Sequence, residues 1–181
     1  MAWLSPRLIL RHLRAGDLAT LLAYRNDPKV ARYQSWSGLS EAQARQFIDA
    51  MSAAEPGQPG AGFQFAIELS STGTHIGDCY LKMLDFDPQQ AEIGYTLARD
   101  YQGQGYGTEA VARLLEYCFD TLDLHRVTAT TACANTASIG LLGHLGMRRE
   151  GRMRRSFWCK GRWLDEYLFA VLRDEWLDRR A

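Results

Sequence analysis

Three glycines in five residues, Gly103, Gly105 and Gly107, form the run in the chain best suited to chemistry. They stand where the strand-like segment Ala91 to Ala98 gives way to a helical pattern. Glycine lets successive backbone N–H groups turn into one concavity, and a helix that opens there adds unpaired donors and the positive end of its dipole. The result is an anion cradle, and a pyrophosphate is its natural occupant. Two nucleotide-binding motifs compete for the same glycines. The dinucleotide fingerprint GxGxxG needs a third glycine where this chain has Thr108, so it fits poorly. The phosphate-loop motif needs Gly-Lys followed by Ser or Thr, and no such triplet occurs.

The elements that must hold this loop follow from hydrophobic periodicity and turn chemistry. Arg7 to Leu13 reads as a first strand. Asp17 is placed to cap a helix in which Leu18, Leu21 and Leu22 share one face, and Asn26, Asp27 and Pro28 end it. Ser40 and Gln43 have capping-box spacing ahead of a second helix that reaches about Ala54. Glu55 to Gly62, with two prolines and three glycines, is a loop and the best insertion point in the chain. Phe63 to Leu69, His75 to Asp85 and Ala91 to Ala98 then read as three strands of an antiparallel meander.

From Gly105 to about Leu122 the period becomes helical, with Val111, Leu114, Leu115, Cys118 and Phe119 on one face. Arg126 to Ala132 is strand-like, and Asn135 to Leu145 is a short helix closed by Gly146. Arg149 to Trp158 and Trp163 to Leu172 are final strands joined at Lys160 and Gly161. This order predicts an α+β fold: a mixed, largely antiparallel central sheet flanked by helices, in one domain spanning residues 1–181.

Composition bounds the function. The chain has 181 residues, 46% hydrophobic and 23% charged, which excludes disordered and fibrous classes. Lys plus Arg and Asp plus Glu both total 21, so there is no overall electrostatic footprint for nucleic acid or membrane. The four cysteines, Cys79, Cys118, Cys133 and Cys159, form no CxxC pair and are expected as reduced, buried thiols. No apolar stretch is long enough for a membrane span, and a cytoplasmic protein is expected. His12, His75, His125 and His144 show no metal-ligand spacing, so no metal is expected.

The run Gln102-Gly-Gln-Gly105-Tyr-Gly107 resembles the acetyl-coenzyme A loop of the GCN5-related N-acetyltransferase (GNAT) superfamily: Gln or Arg, two residues, Gly, one residue, Gly or Ala. Asn135, Ser138, Leu145, Gly146 and Glu150-Gly151 are similar to a second signature of the same family, in the right order. The segments PRLILRHL, AEIGYTLARDYQGQGYGTEA and KGRWLDEYLFAVLRDEW resemble the branch that includes N-terminal acetyltransferases of ribosomal proteins. The resemblance covers almost the whole chain. It implies the GNAT fold and transfer of an acetyl group from acetyl-CoA to a primary amine by direct attack on the thioester. The acceptor is a peptide or small-molecule amine, and relatives suggest a homodimer.

The resemblance also distributes roles. Gln102, Gly103, Gln104, Gly105, Tyr106, Gly107 and Thr108 hold the diphosphate through backbone donors. Asn135 and Ser138 lie near the pantetheine arm and sulfur, and the Ser138 hydroxyl is the candidate partner of the departing thiolate. Tyr95, Thr96 and Leu97, at the end of a strand, offer backbone N–H groups to the acetyl oxygen. Glu92 is the candidate general base. It shares one strand face with Gly94 and Thr96, which lets it face a cleft; the competing reading is a solvated strand charge. Two positions depart from the family pattern. Leu142 stands where relatives often carry a thiolate-protonating Tyr, and Phe157 about where the ribosomal-protein enzymes carry a catalytic Glu.

Other residues are less informative. Arg148, Arg149, Arg152, Arg154 and Arg155 suit either an anionic partner or a solvated strand face. Tyr33, Trp36, Trp158 and Trp163 are candidates for the acceptor site or a subunit contact. A CoA-binding sensor without turnover is the main alternative function, and a nicotinamide-nucleotide oxidoreductase a more remote one.

Overall fold

The computed structural model describes residues 2–180. A three-residue strand, β1 (Ala2–Leu4), precedes β2 (Leu8–His12), whose alternating aliphatics Leu8 and Leu10 are fully buried. Helix α1 (Leu18–Arg25) and helix α2 (Glu41–Ala53) follow. The capping box at α2 is present as expected: Ser40 Oγ accepts from the Gln43 amide, and Gln43 accepts from the Ser40 amide. Asp17 differs from expectation, because its side chain makes no cap bond to α1. It lies buried instead, accepting two 2.7 Å bonds from Arg11 and one of 2.8 Å from the Arg14 amide. A carboxylate that can pair with a buried guanidinium gains more there than at an exposed helix start.

The meander is formed by β3 (Gly62–Leu69), β4 (His75–Met83) and β5 (Gln90–Leu97), all antiparallel. Helix α3 (Tyr106–Glu116) crosses to β6 (Arg126–Ala132), which runs parallel to β5. The last turn before β6, Tyr117–Thr121, widens to a π-helix rather than continuing α3 to Leu122. Helix α4 (Thr136–His144) is closed by Gly146 at φ +81°, the left-handed cap that only glycine adopts freely. Strands β7 (Arg148–Cys159) and β8 (Arg162–Leu172) form a hairpin, and α5 (Arg173–Asp178) ends the chain. Lys160 and Gly161, the two residues between the strands, both take positive φ, which matches the twist of a two-residue hairpin turn.

All eight strands form one sheet in the order β1-β2-β3-β4-β5-β6-β8-β7, the mixed, largely antiparallel arrangement expected. Its two faces divide the core. Phe63, Phe65, Ile67, Cys79, Leu81 and Ile93 pack with Val111, Leu114 and Leu115 of α3 on one side. On the other, Ala66 packs with Leu21 and Tyr24 of α1 and with Ala44 and Ile48 of α2. Cys79, Cys118 and Cys159 are buried and Cys133 half-buried, all four as free thiols. Among the described residues no helix is long and apolar enough to cross a membrane.

The feature that matters most for function is a parting of strands. β5 and β6 pair only at Gln90, Ala91 and Glu92, opposite Arg126, Val127 and Thr128. Beyond that rung β5 stays paired with β4 to Leu97, while β6 stays paired with β8 to Ala132. Ile93 to Leu97 therefore present a free backbone edge to a wedge within the sheet.

Candidate active site

The glycine loop has the geometry its composition requires. Gly103 and Gly105 sit at φ +72° and +81°, and Gly105 is the N-cap residue of α3. A Cβ on Gly107 would lie 2.9 Å from Leu141 Cδ1, so this glycine lets α3 approach α4. The amides of the first helical turn, Tyr106 to Thr108, have no acceptor inside the helix and are free to bind an anion.

Arg7 braces the loop from behind. Its guanidinium donates to Gln104 O (3.2 Å) and Glu109 Oε2 (2.6 Å) and lies 4.5 Å over the Tyr106 ring. Burial acts to raise the Glu109 pKa, but the Arg7 amide, the Ser5 hydroxyl and the Arg7 guanidinium together hold it below the ordinary carboxylate value.

Above the loop lies a cavity of about 810 Å³ between the end of β5, the start of α4 and the segment Lys29 to Gln34. Of the residues the sequence assigns to cofactor binding, Tyr95, Thr96, Leu97, Gln102, Gly103, Gly105, Gly107, Thr108, Asn135 and Ser138 line it. Gln104 and Tyr106 do not: the Gln104 amide turns to the Asp100 carbonyl and the Tyr106 ring lies under Arg7. Lys29, Arg32 and His144 also line this cavity, and no acidic residue does. Asn135 holds the start of α4 by accepting from the Ser138 amide at 3.3 Å.

A second cavity, about 430 Å³, opens through the wedge between β5 and β6. Glu92 lines it, as does Glu166 of β8, and no Lys or Arg does. Among the described residues the Glu92 carboxylate is held only by Thr130 Oγ1 at 3.5 Å, and Glu166 accepts from Ser156 Oγ at 2.8 Å. Burial, with the Glu92 charge as a second cause, raises the Tyr80 pKa on the same wall. The two cavities share Tyr33, Gln34, Tyr95, Asn135 and Ser138 as common lining. Ser138 thus stands where they meet, with its Oγ 2.7 Å from Tyr95 Oη. Burial pushes the Tyr95 phenol up to about 12, so it stays neutral at any working pH.

The departures from the family pattern have structural answers. Leu142 and Phe157 both line the second cavity as apolar walls, and its carboxylates come from β5 and β8. Glu166 carries no sequence motif; only the β6–β8 register, which sets it opposite Ala132, brings it to the cavity. Of the aromatic candidates, Tyr33 lines both cavities, Trp36 stacks on Arg25 at 4.6 Å, and the exposed Trp158 and Trp163 pack on each other. Arg152 pairs with Asp165, Arg148 pairs with Glu175, and Arg149 lies over Tyr167, so these arginines belong to the strand surface. Among the described residues no group of three His, Cys, Asp or Glu side chains could hold a metal.

Comparison with known proteins identifies the family and the fold. Residues 7–148 match the family described as "Acetyltransferase (GNAT) domain". The chain is 36% identical to N-acetyltransferase p20 of Bacillus licheniformis over 95% of its own length and 96% of that protein's. It is 25% identical to a spermidine N(1)-acetyltransferase of Vibrio cholerae, covering 97% and 99% of the two chains. The crystal structure of a GNAT-family acetyltransferase from Bacillus anthracis superposes with a TM-score of 0.86 at 28% identity, over 96% of this chain and 99% of that one. The chain belongs to the GNAT acetyltransferase family, and its activity is the transfer of an acetyl group from acetyl-CoA to an amine.

Proposed function

We propose that acetyl-CoA occupies the larger cavity and a cationic primary amine the smaller one, with the thioester at Ser138 where the two meet. The observation that carries this reading is the division of charge. The larger cavity is lined by Lys29, Arg32 and His144 without an acid, and the smaller by Glu92 and Glu166 without a Lys or Arg. Lys82 lies opposite Glu92 in the β4–β5 register but does not line the cavity. A polyanionic cofactor and a cationic acceptor are thereby drawn to opposite sides of one reacting centre. The Vibrio cholerae relative named for spermidine shows that the family includes enzymes for small cationic amines.

The chemistry then follows from position. A lysine-like amine has a pKa near ~10.4, so presenting its free base at pH 7 costs about 4 to 5 kcal/mol. Glu92, directly or through water, takes that proton. The amine nitrogen attacks the acetyl carbon, and the free edge of β5 from Tyr95 to Leu97 offers N–H groups to the developing oxyanion. The carbon–sulfur bond breaks with its electron pair on sulfur, facing Ser138. The four free thiols suit a reducing, cytoplasmic setting.

An acceptor whose chain carries a second ammonium group would use both carboxylates. Thiol release from acetyl-CoA, measured against monoamines, diamines and peptides, tests this: the reading expects the highest kcat/KM with a diamine. CoA binding without turnover on any amine would leave a sensor instead.

A further inference from the structure

We propose that the Tyr95 phenol positions the Ser138 hydroxyl, donating to its oxygen so that the serine's own hydrogen is aimed at the sulfur of the bound thioester. The inference rests on the placement of acetyl-CoA in the larger cavity and goes beyond it, since it assigns a task to a residue of β5 that need not touch the reacting atoms.

The 2.7 Å contact between Tyr95 Oη and Ser138 Oγ contains two hydroxyl hydrogens, and only one of them can lie between the oxygens. If Ser138 were the donor, the phenol hydrogen would need another acceptor. The one the structure offers is the Ser138 carbonyl at 3.5 Å, much longer than an ordinary O–H···O bond. The phenol is also the more acidic hydroxyl and so the stronger donor. With Tyr95 donating, the phenol hydrogen takes the short contact, and the Ser138 hydrogen is left to point into the junction that Ser138 lines from both sides.

The geometry is fixed from both ends. The Tyr95 ring packs against the core on the α3 and α4 side of the sheet, and Ser138 is fixed by the Asn135 cap. Burial keeps the phenol protonated, so the donor does not switch off within the working pH range.

The step balances without an added reagent. When the carbon–sulfur bond breaks, the pair of electrons goes to sulfur and the Ser138 O–H donates a hydrogen bond to the thiolate. Neither Ser138 nor Tyr95 loses its proton. The thiolate takes a proton from water, while the ammonium acceptor has lost two, one before attack and one after, leaving one net proton released per turnover.

The test is a double-mutant cycle with Tyr95→Phe and Ser138→Ala, read by kcat, by acetyl-CoA affinity from calorimetry and by thermal unfolding. Tyr95→Phe keeps the ring and removes the donor. It is expected to lower kcat about tenfold with acetyl-CoA affinity within about twofold of wild type, and the double variant should be no slower than Ser138→Ala within about twofold. Losses that multiply across the cycle, or a Tyr95→Phe enzyme with wild-type kcat, would overturn the proposal. If Tyr95→Phe folds poorly, ring-fluorinated tyrosine at 95 replaces it. Its more acidic phenol should bring an alkaline loss of kcat to lower pH, and an unmoved profile contradicts the proposal. A wild-type protein that binds no acetyl-CoA would instead fail the placement on which the inference rests.

Discussion

Glu92 and Thr128 form the last rung joining β5 to β6, and past them the strands part. The Glu92 carboxylate is therefore at the root of the wedge, where the sheet still holds its backbone and the cavity is already open to its side chain. In the mechanism we propose, this placement holds Glu92 in position without sealing it from an acceptor.

Glu92→Gln keeps the shape of the side chain but cannot take a proton. General base assistance is typically worth about 10²- to 10⁴-fold, so turnover near neutral pH should fall by about two orders of magnitude. Activity should partly recover as rising pH deprotonates the free acceptor. A steady-state pH profile checks this, and a loss below about fivefold with a wild-type profile would return Glu92 to a structural charge.

Gly105→Glu should block the cradle. It adds a Cβ 3.3 Å from the Arg7 guanidinium at a φ of +81°, and it places negative charge where the diphosphate is to bind. Calorimetry should show acetyl-CoA affinity lowered by at least about tenfold, with left-handed strain costing about 1–2 kcal/mol of stability. Unchanged affinity would remove the anion from this loop.

Much of this site could be read from residue order, because its parts are local. The glycine loop, the Asn135 helix start and the Ser40 capping box each declare themselves within a few residues, and the meander follows from alternation. β1, of three residues, and α5, of six, are too short to show a period. Asp17 looked like a cap because capping is local, and it was drawn away by Arg11 across a turn that only tertiary packing defines. Glu166 and the Tyr95–Ser138 contact are joined by sheet register and helix docking over long sequence separations, so no spacing rule announces them.

Glu166→Gln separates the acceptor's second charge from its reacting amine. KM for a diamine should rise by about tenfold, while KM for a monoamine of similar length changes by less than about twofold. Equal effects on both acceptors would show that Glu166 does not read a second cation.

His75 should make the fold acid-sensitive. Burial lowers its pKa below the ordinary imidazole value, outweighing the opposing charges of Asp17 and Asp78, while Arg11 acts in the same sense as burial. Its Nε2 donates to Gly77 O at 2.8 Å, and its Nδ1 is buried without a hydrogen-bond partner. Between the depressed folded value and the unfolded one, the unfolded chain holds the extra proton. Stability from this group is therefore full above about pH 6.5 and falls as the pH drops below it. Urea unfolding from about pH 7 to about pH 5 should show that decline in the wild type and a flatter one in His75→Gln. Parallel slopes would acquit His75.

The most direct test of two cavities meeting at Ser138 is the affinity of a bisubstrate conjugate, CoA joined through an acetyl bridge to a diamine. Linking two occupants of adjoining sites should make the conjugate bind at least about 100-fold more tightly than CoA. Gly105→Glu should weaken both ligands, whereas Glu166→Gln should weaken the conjugate alone. A conjugate that binds no better than CoA, or one indifferent to Glu166→Gln, would contradict the account.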